Sequence, residues 1–432
     1  MRGSINASRR NPKAGLPFTS KNTMFAYRLL IIVLSPLIFG HLLLKSQRLH
    51  QPRLLWQRLG FDLDYIPEHC TWFHCASVGE TNAVLPLVLE LHRRNNARCF
   101  LITTNTITGA EIVTRQNHDW LMHAYLPMDW VSTTRRFIKR VKPTSLNIVE
   151  TELWPNLIDV CYQRRIPVTI INGRLSKKTT LTNNWIRLIY KRTLELVKHI
   201  YVRSEHDRNL YIELGAPEKN VSVLGNLKYI PPTSMRVHPQ EHTTRDYVVI
   251  ASTHEGEERK IAAVWKRMHR KELLVIAPRH PDRSSQVVKQ LETVVGNVDK
   301  YVAVRSKNDA IGRETKIYVL DSVGELTSWY AKAKLIVMAG TFIHRGGHNV
   351  LEPAHFGKAI VVGPHMENFV DENKLLLDKN AAVQIFSIGG IETTVARLLD
   401  NDDERKQLEQ NALKAVEPFS HIISNYADVI NQ

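Results

Sequence analysis

Cysteine is scarce in this chain, with four among 432 residues, and Cys70, Cys75, Cys99 and Cys161 form no C-x-x-C pair. That spacing excludes a zinc ribbon and a thioredoxin-like redox centre, and buried free thiols in a reducing compartment are the expectation. H-E-x-x-H, G-x-S-x-G and the Walker lysine loop are also missing, which removes zinc-peptidase, α/β-hydrolase and P-loop chemistry and leaves no metal expected. No 20–50-residue repeat occurs, so a solenoid is excluded. Carboxylates run short in one half only. Residues 1–230 hold 32 Lys+Arg against 16 Asp+Glu, whereas residues 231–432 hold 26 of each, so the whole excess of +16 lies in the first half. A basic half beside a neutral one faces something anionic: a membrane surface, an acidic substrate or nucleic acid. Nucleic-acid binding calls for aromatic residues interleaved with Lys and Arg. Basic runs such as Arg135–Lys142 show little of that, so nucleic acid is not an expected partner.

One long apolar run is present. Phe25–Leu44, FAYRLLIIVLSPLIFGHLLL, approaches the length that crosses a bilayer, although Arg28, Pro36, Gly40 and His41 weaken it. No small-residue cleavage site follows, which favours an uncleaved anchor over a signal peptide. Lys45, Arg48, Arg53 and Arg58 follow it, and positive-inside logic puts the body of the chain that follows in the cytoplasm. The alternative is a helix lying in the interface or buried in a core. Residues 1–23 are polar and basic, either a disordered arm or an extension ahead of a start at Met24.

The length suggests two domains. Apolar runs alternate with helical stretches in two series. Trp72–Ala76, Cys99–Thr103, Ser145–Val149, Val168–Ile171 and Ile200–Val202 form the first. Tyr247–Ala251, Leu273–Ala277, Lys316–Leu320, Leu335–Met338 and Ala359–Val362 form the second. Such βα alternation predicts two parallel sheets covered on both faces. The expected organisation is an anchor over 24–45, a first Rossmann-like domain over 46–228, a Pro-rich linker over 229–245 and a second Rossmann-like domain over 246–432. Ligands of such folds bind at the carboxyl ends of the strands, so a cleft between the two domains is the expected site.

Candidate groups cluster at these strand ends. Gly340–Gly363, GTFIHRGGHNVLEPAHFGKAIVVG, combines paired glycines with a helix expected over Asn349–Phe356. Glycines allow close backbone approach, a helix N-terminus suits a phosphate, and Glu352 could accept ribose hydroxyls. The structural alternative is a capping box running from Asn349 to Glu352. Ser-x-x-Glu follows a strand three times, at Ser77–Glu80, Ser252–Glu255 and Ser322–Glu325. Each fits a capping box, yet a Glu at that edge becomes a base if its pKa is raised. In Glu150-Thr-Glu152-Leu-Trp-Pro-Asn156 two carboxylates point opposite ways if the strand continues, so one lines the cleft while the other is structural. Lys228 at the domain junction reaches an anion or is merely solvated. Pro278-Arg279-His280-Pro281 offers an arginine to a phosphate or simply ends a strand. Asp62-Leu-Asp64 reads as solvated surface. The basic run Asn184–His199 is either a core helix with a solvated face or a helix pressed on a membrane.

CASVGE, ETELWPN, INGRLS, GNLK, PRHP, DSVGEL and GGHNVLEP occur in that order between residues 75 and 354. Together they resemble the bacterial 3-deoxy-D-manno-octulosonic acid (Kdo) transferases of lipopolysaccharide synthesis, over about residues 25–425. The resemblance implies a two-domain α/β GT-B fold and metal-free, inverting transfer of Kdo from CMP-Kdo to lipid IVA, the lipid A precursor, on the cytoplasmic face of the inner membrane, with no cofactor. It implies that Glu80 is the general base and that Glu150 and Lys228 support the transition state. It further implies that Pro278, Arg279, Val323, Gly324, Glu325, Asn349, Val350, Leu351 and Glu352 hold CMP. A GT-B enzyme using a UDP-sugar on a lipid acceptor is the competing enzymatic reading.

Overall fold

Strands buried on both faces need continuous apolar runs, and these runs close into two parallel sheets. The computed structural model describes residues 20–230 and 242–431. One unit runs to Lys228 and takes up the chain again at Ile422; the other is Tyr229–His421. In the first, β1 (Thr71–Cys75), β2 (Phe100–Thr104), β3 (Leu121–Tyr125), β4 (Ser145–Val149), β5 (Val168–Gly173), β6 (His199–Val202) and β7 (Val221–Val223) lie in the order β3-β2-β1-β4-β5-β6-β7. In the second, β8 (Tyr247–Thr253), β9 (Leu273–Pro278), β10 (Val302–Val304), β11 (Ile317–Val319), β12 (Leu335–Met338), β13 (Ile360–Val362) and β14 (Ala382–Gln384) lie in the order β10-β11-β9-β8-β12-β13-β14. Among the described residues every pairing in both sheets is parallel. Alternate residues of β8 feed opposite cores, Tyr247, Val249 and Ala251 one and Val248 and Ile250 the other, as a sheet covered on both faces requires.

The last helix, Ile422–Ile430, packs on α3 (Val78–Arg94) of the first unit. Its Tyr426 hydroxyl donates to Gly225 O (3.0 Å), and Asp428 takes Arg94 (2.5 Å). The expected second domain over 246–432 therefore stops at His421, because its final segment is used by the first unit. Most of the expected linker, residues 231–241, lies outside the described residues, as does the arm before residue 20.

The apolar run forms α1 (Ser20–Arg48), longer at both ends than expected. Its Thr23–Arg48 part contains an 18-residue stretch with a mean hydropathy of 2.0 and is long enough to cross a membrane. One stripe rests on the first unit. The Tyr27 hydroxyl donates to Asp129 (2.8 Å), Arg28 bonds Asn156 (3.0 Å) and Asp159 (2.5 Å), and Leu42 and Ser46 are buried. The helix Asn184–Glu195 packs beneath α1, so its apolar face is used by the protein. Phe25, Leu29, Ile32, Val33, Leu37 and Leu44 point outward and are exposed. Arg58, read as a membrane flank, instead ends α2 (Pro52–Arg58) and turns inward, where it donates to Asn105 O (3.2 Å) and Oδ1 (3.1 Å).

Four free thiols are not what forms. Cys70 and Cys99 each immediately precede adjacent strands whose register pairs Thr71 with Phe100, which sets their Cα atoms 4.8 Å apart, and they are joined in a disulfide. Cys75 and Cys161 are free and buried.

Candidate active site

The first sheet reverses direction between β1 and β4. From β1 the chain steps outward to β2 and β3, then returns to β4 on the other side of β1. Loops leaving β1 and β4 diverge, so a crevice opens outside their carboxyl ends, the place where ligands of open α/β sheets bind. Glu80 and Glu150 stand on its two sides.

Glu80 occupies the first turn of α3 and does form a capping box in kind. Ser77 Oγ accepts from Glu80 N (3.3 Å), while the carboxylate accepts from Ala76 N (2.7 Å) and from the Ser77 hydroxyl (3.0 Å). Structure and chemistry are not alternatives here. Burial raises the Glu80 pKa to about 7, with the nearby Glu150 adding to the rise and the Ala76 and Ser77 bonds opposing it. A carboxyl titrating near neutrality can collect a proton and still be ionised when needed.

Glu150 follows β4 at φ +61, a left-handed conformation that costs a non-glycine residue roughly 1–3 kcal/mol. The turn buries its carboxylate against Lys228 Nζ at 2.6 Å, and Tyr211 OH steadies it from behind by donating to Glu150 O (3.1 Å). Lys228 is thus an ion-pair partner rather than a solvated hinge lysine. Its turn is built by Asn226 Oδ1, which accepts Lys228 N (3.0 Å), and by Asn172 Oδ1, which accepts Leu227 N (2.9 Å). A Cβ added to Gly79 would stand 4.0 Å from Lys228 Nζ, so Lys228 and the Glu80 turn share one corner. Glu152 is only half-buried and its charge also raises Glu80; burial raises its own pKa, opposed by a bond from Trp154 and by the Arg58 charge.

The second sheet reverses in the same way, between β8 and β12, although β11 is inserted between β9 and the edge strand β10. The expected helix over Asn349–Phe356 is shorter, Leu351–His355, because Asn349 Oδ1 bonds Leu351 N (3.0 Å) and holds the preceding residues in a turn. Pro278, Val350 and Leu351 have buried side chains, so only their backbones are available to a ligand. Arg279 is exposed at the end of β9. Burial raises the Glu352 pKa, opposed by Asn349 and by the Arg279 charge. Val323 and Gly324 lie exposed, Gly324 at φ +89. Glu325 is not free for a ligand in this arrangement, because Arg305 grips it through two bonds (2.8 and 3.0 Å) that keep its pKa low. Ser252–Glu255 is not a capping box: Ser252 sits at φ +58 and the helix begins only at Glu257.

Residues 53–230 match the family model described as 3-deoxy-D-manno-octulosonic-acid transferase (kdotransferase). The chain is 31% identical to the 3-deoxy-D-manno-octulosonic acid transferase of Haemophilus influenzae, covering 89% of this chain and 92% of that one. It is also 31% identical to the enzyme of the same name from Rickettsia felis, covering 84% and 78%. The chain belongs to the Kdo transferase family. Among solved structures it resembles a glycosyltransferase from Rickettsia africae (TM-score 0.54, 10% identity, 84% of this chain and 97% of that one), a likeness of fold alone. As a Kdo transferase it is a glycosyltransferase of GT-B architecture in lipopolysaccharide biosynthesis, and the family implies a CMP-Kdo donor and a lipid-like acceptor.

Sequence reasoning on this Kdo transferase missed the groups that hold the site together. Asn172 lies inside the INGRLS motif but drew no role; its φ of +53 is what turns its amide towards Leu227. Tyr426, which also donates towards the Gly225 turn, is 201 residues away in sequence and carries no local signal. Glu257 drew no role from the sequence either, yet its buried carboxylate accepts from Gly340 N (2.9 Å) and His254 N (2.9 Å).

Proposed function

We propose that this Kdo transferase moves Kdo from CMP-Kdo to lipid IVA with inversion and without a metal. The acceptor hydroxyl gives its proton to Glu80 as its oxygen bonds to the Kdo anomeric carbon, and the bond from that carbon to the CMP phosphate breaks. Glu150 and Lys228, as an ion pair beside the base, stabilise the charge that develops there. Pro278, Arg279, Val323, Gly324, Glu325, Asn349, Val350, Leu351 and Glu352 hold CMP, the first, fifth, seventh and eighth of these through their backbones, since Arg305 occupies the Glu325 carboxylate. In this reading one unit activates the acceptor and the other holds the donor. The observation that carries it is Glu80, a buried carboxyl with a pKa of about 7 beside the Glu150–Lys228 pair.

The enzyme works at the cytoplasmic face of the inner membrane. Both ends of α1 rest on the first unit, which supports a helix lying along the body with Ile32, Val33 and Leu37 in lipid. The basic charge of the first half then faces anionic lipid and the acceptor's phosphates. Mass spectrometry of the product formed from CMP-Kdo and lipid IVA tests the reading. Addition of Kdo is expected; transfer from UDP-N-acetylglucosamine but not from CMP-Kdo would overturn it.

A further inference from the structure

At the reversal of the second sheet two histidines meet. His254 follows β8 and His348 lies in the loop after β12, so they come from the two strands between which the crevice opens. Their Nε2 atoms are 3.1 Å apart, and their rings are nearly parallel. At that distance one Nε2–H donates to the other Nε2, so the pair holds a single proton between two nitrogens. Both rings are half-buried, and the surrounding backbone is built around them. Gly340, at φ +69, has no room for a side chain: an added Cβ would fall 2.7 Å from His348 Nε2 and 3.0 Å from His254 Cδ2. The buried Glu257 carboxylate fixes both Gly340 N and His254 N.

The charges that face the pair are of one sign. His254 senses Arg345 on its partner's loop, Arg279 and His280 after β9, and Arg283; His348 senses Arg279 and His280. Arg283 is neutralised by Glu258 (3.1 Å). Among the described residues no carboxylate lies within ion-pair distance of Arg279 or Arg345. Glu257 is the acidic group packed from below, and its oxygens are engaged by backbone N–H groups. Burial and these cations hold His348 near a pKa of about 4 and lower His254, so the empty pair is neutral at pH 7.

An anion reverses this balance. Beside a phosphate dianion a second proton on the pair is favoured, and the two N–H groups, which would repel each other across 3.1 Å, both turn to the same anion. We propose that His254 and His348 contact the phosphate of the bound nucleotide and take up one proton from water as they do so. The inference rests on the reading of this unit as the CMP-binding one. Its use lies in the reaction itself: the donor's phosphodiester carries one charge, the departing CMP carries two, and the pair meets the added charge.

The test is calorimetric titration of the full chain in detergent with CMP between pH 7 and 8.5, in buffers of different ionisation enthalpy. The nucleotide's own second pKa near 6 keeps it largely a dianion there. Binding enthalpy should depend on the buffer, revealing proton uptake, and affinity should rise as pH falls, by at most about tenfold per unit for one proton. His348→Gln and His254→Gln should each abolish the uptake and flatten the pH dependence, while His280→Gln keeps both. CMP binding to the wild type without uptake, or uptake unchanged in both pair variants, overturns the inference and leaves the nucleotide reading standing. No CMP binding by the wild type overturns both.

Discussion

Replacing Glu80 by glutamine should inactivate the enzyme and stabilise it in the same stroke. The carboxyl is buried and titrates near 7, against 4.5 when unperturbed. A group whose folded pKa lies above its unfolded one binds more protons in the fold, so stability falls as pH rises between the two values. The gap corresponds to about 3 kcal/mol, lost progressively between pH 4.5 and 7. Glutamine keeps the shape, accepts from Ala76 N and carries no charge, so that loss disappears. Unfolding by denaturant should therefore find the two proteins alike near pH 4.5 and Glu80→Gln about 3 kcal/mol more stable at pH 8. Transfer assayed by product mass should drop by about 10²–10⁴-fold, the range lost with a general base. In the wild type, kcat/KM should fall tenfold per pH unit below about 7, because only the ionised carboxylate accepts the proton. Parallel stability curves for the two proteins would refute the raised pKa. Normal turnover by Glu80→Gln would refute the base and leave Glu80 as a cap, whose loss costs about 1 kcal/mol.

Lys228→Met removes the cation from Glu150. The acid limb of the pH–rate profile should then move to higher pH, because the unpaired Glu150 charge opposes ionisation of Glu80; an unmoved limb would mean that Lys228 does not act through this corner. Glu352→Ala should weaken CMP binding measured by calorimetry, with an unchanged affinity removing its ribose role. Gly340→Ala combines a left-handed backbone with a clash against His348 and should cost roughly 1–3 kcal/mol in thermal unfolding and weaken CMP binding. Exchanging outward Ile32, Val33 and Leu37 for serine should release the protein from vesicles in flotation assays without lowering its melting temperature, whereas a loss of stability instead would assign those residues to the core.

The strands legible in the sequence are the inner ones. Ser145–Val149 and Leu335–Met338 form with the expected bounds, and eight others differ by one or two residues at an end. The four that were missed, β3, β7, β10 and β14, are the four sheet edges. An edge strand pairs on one side only, so it can be short, as Val221–Val223 and Ala382–Gln384 are, or carry polar residues, as Leu121–Tyr125 does with His123. Neither yields the continuous apolar run that marks a buried strand. The site divides along similar lines. Glu80, Glu150 and Arg279 are visible because each follows an apolar run at the carboxyl edge, and Lys228 because it stands at the domain junction before the Pro-rich linker. Asn172 and Tyr426 act through backbone conformation and long-range return of the chain, which no local pattern encodes. The pairing of Cys70 with Cys99 likewise depends on strand register, since 29 residues separate them.

Net charge and local charge run opposite ways in this protein, and the contrast bears on mechanism. The first half carries the entire excess of positive charge, yet the crevice of its sheet holds two buried carboxylates and one lysine. The second half is neutral, yet its crevice collects Arg279, Arg345 and the His254–His348 pair. Surface charge governs what the protein approaches, through fields that reach about a Debye length. Buried charge governs what it does, because desolvation magnifies each interaction. A base needs its carboxyl made reluctant to ionise, which burial and a neighbouring carboxylate supply; a leaving phosphate needs uncompensated donors. Both sheets reverse beside their first strand and carry side chains of opposite sign at that point, as the proposed base and the proposed leaving-group site would each require. Exchanging those signs locally, for example Arg279→Glu, should therefore abolish CMP binding while leaving unchanged the association with anionic vesicles that we ascribe to the first half.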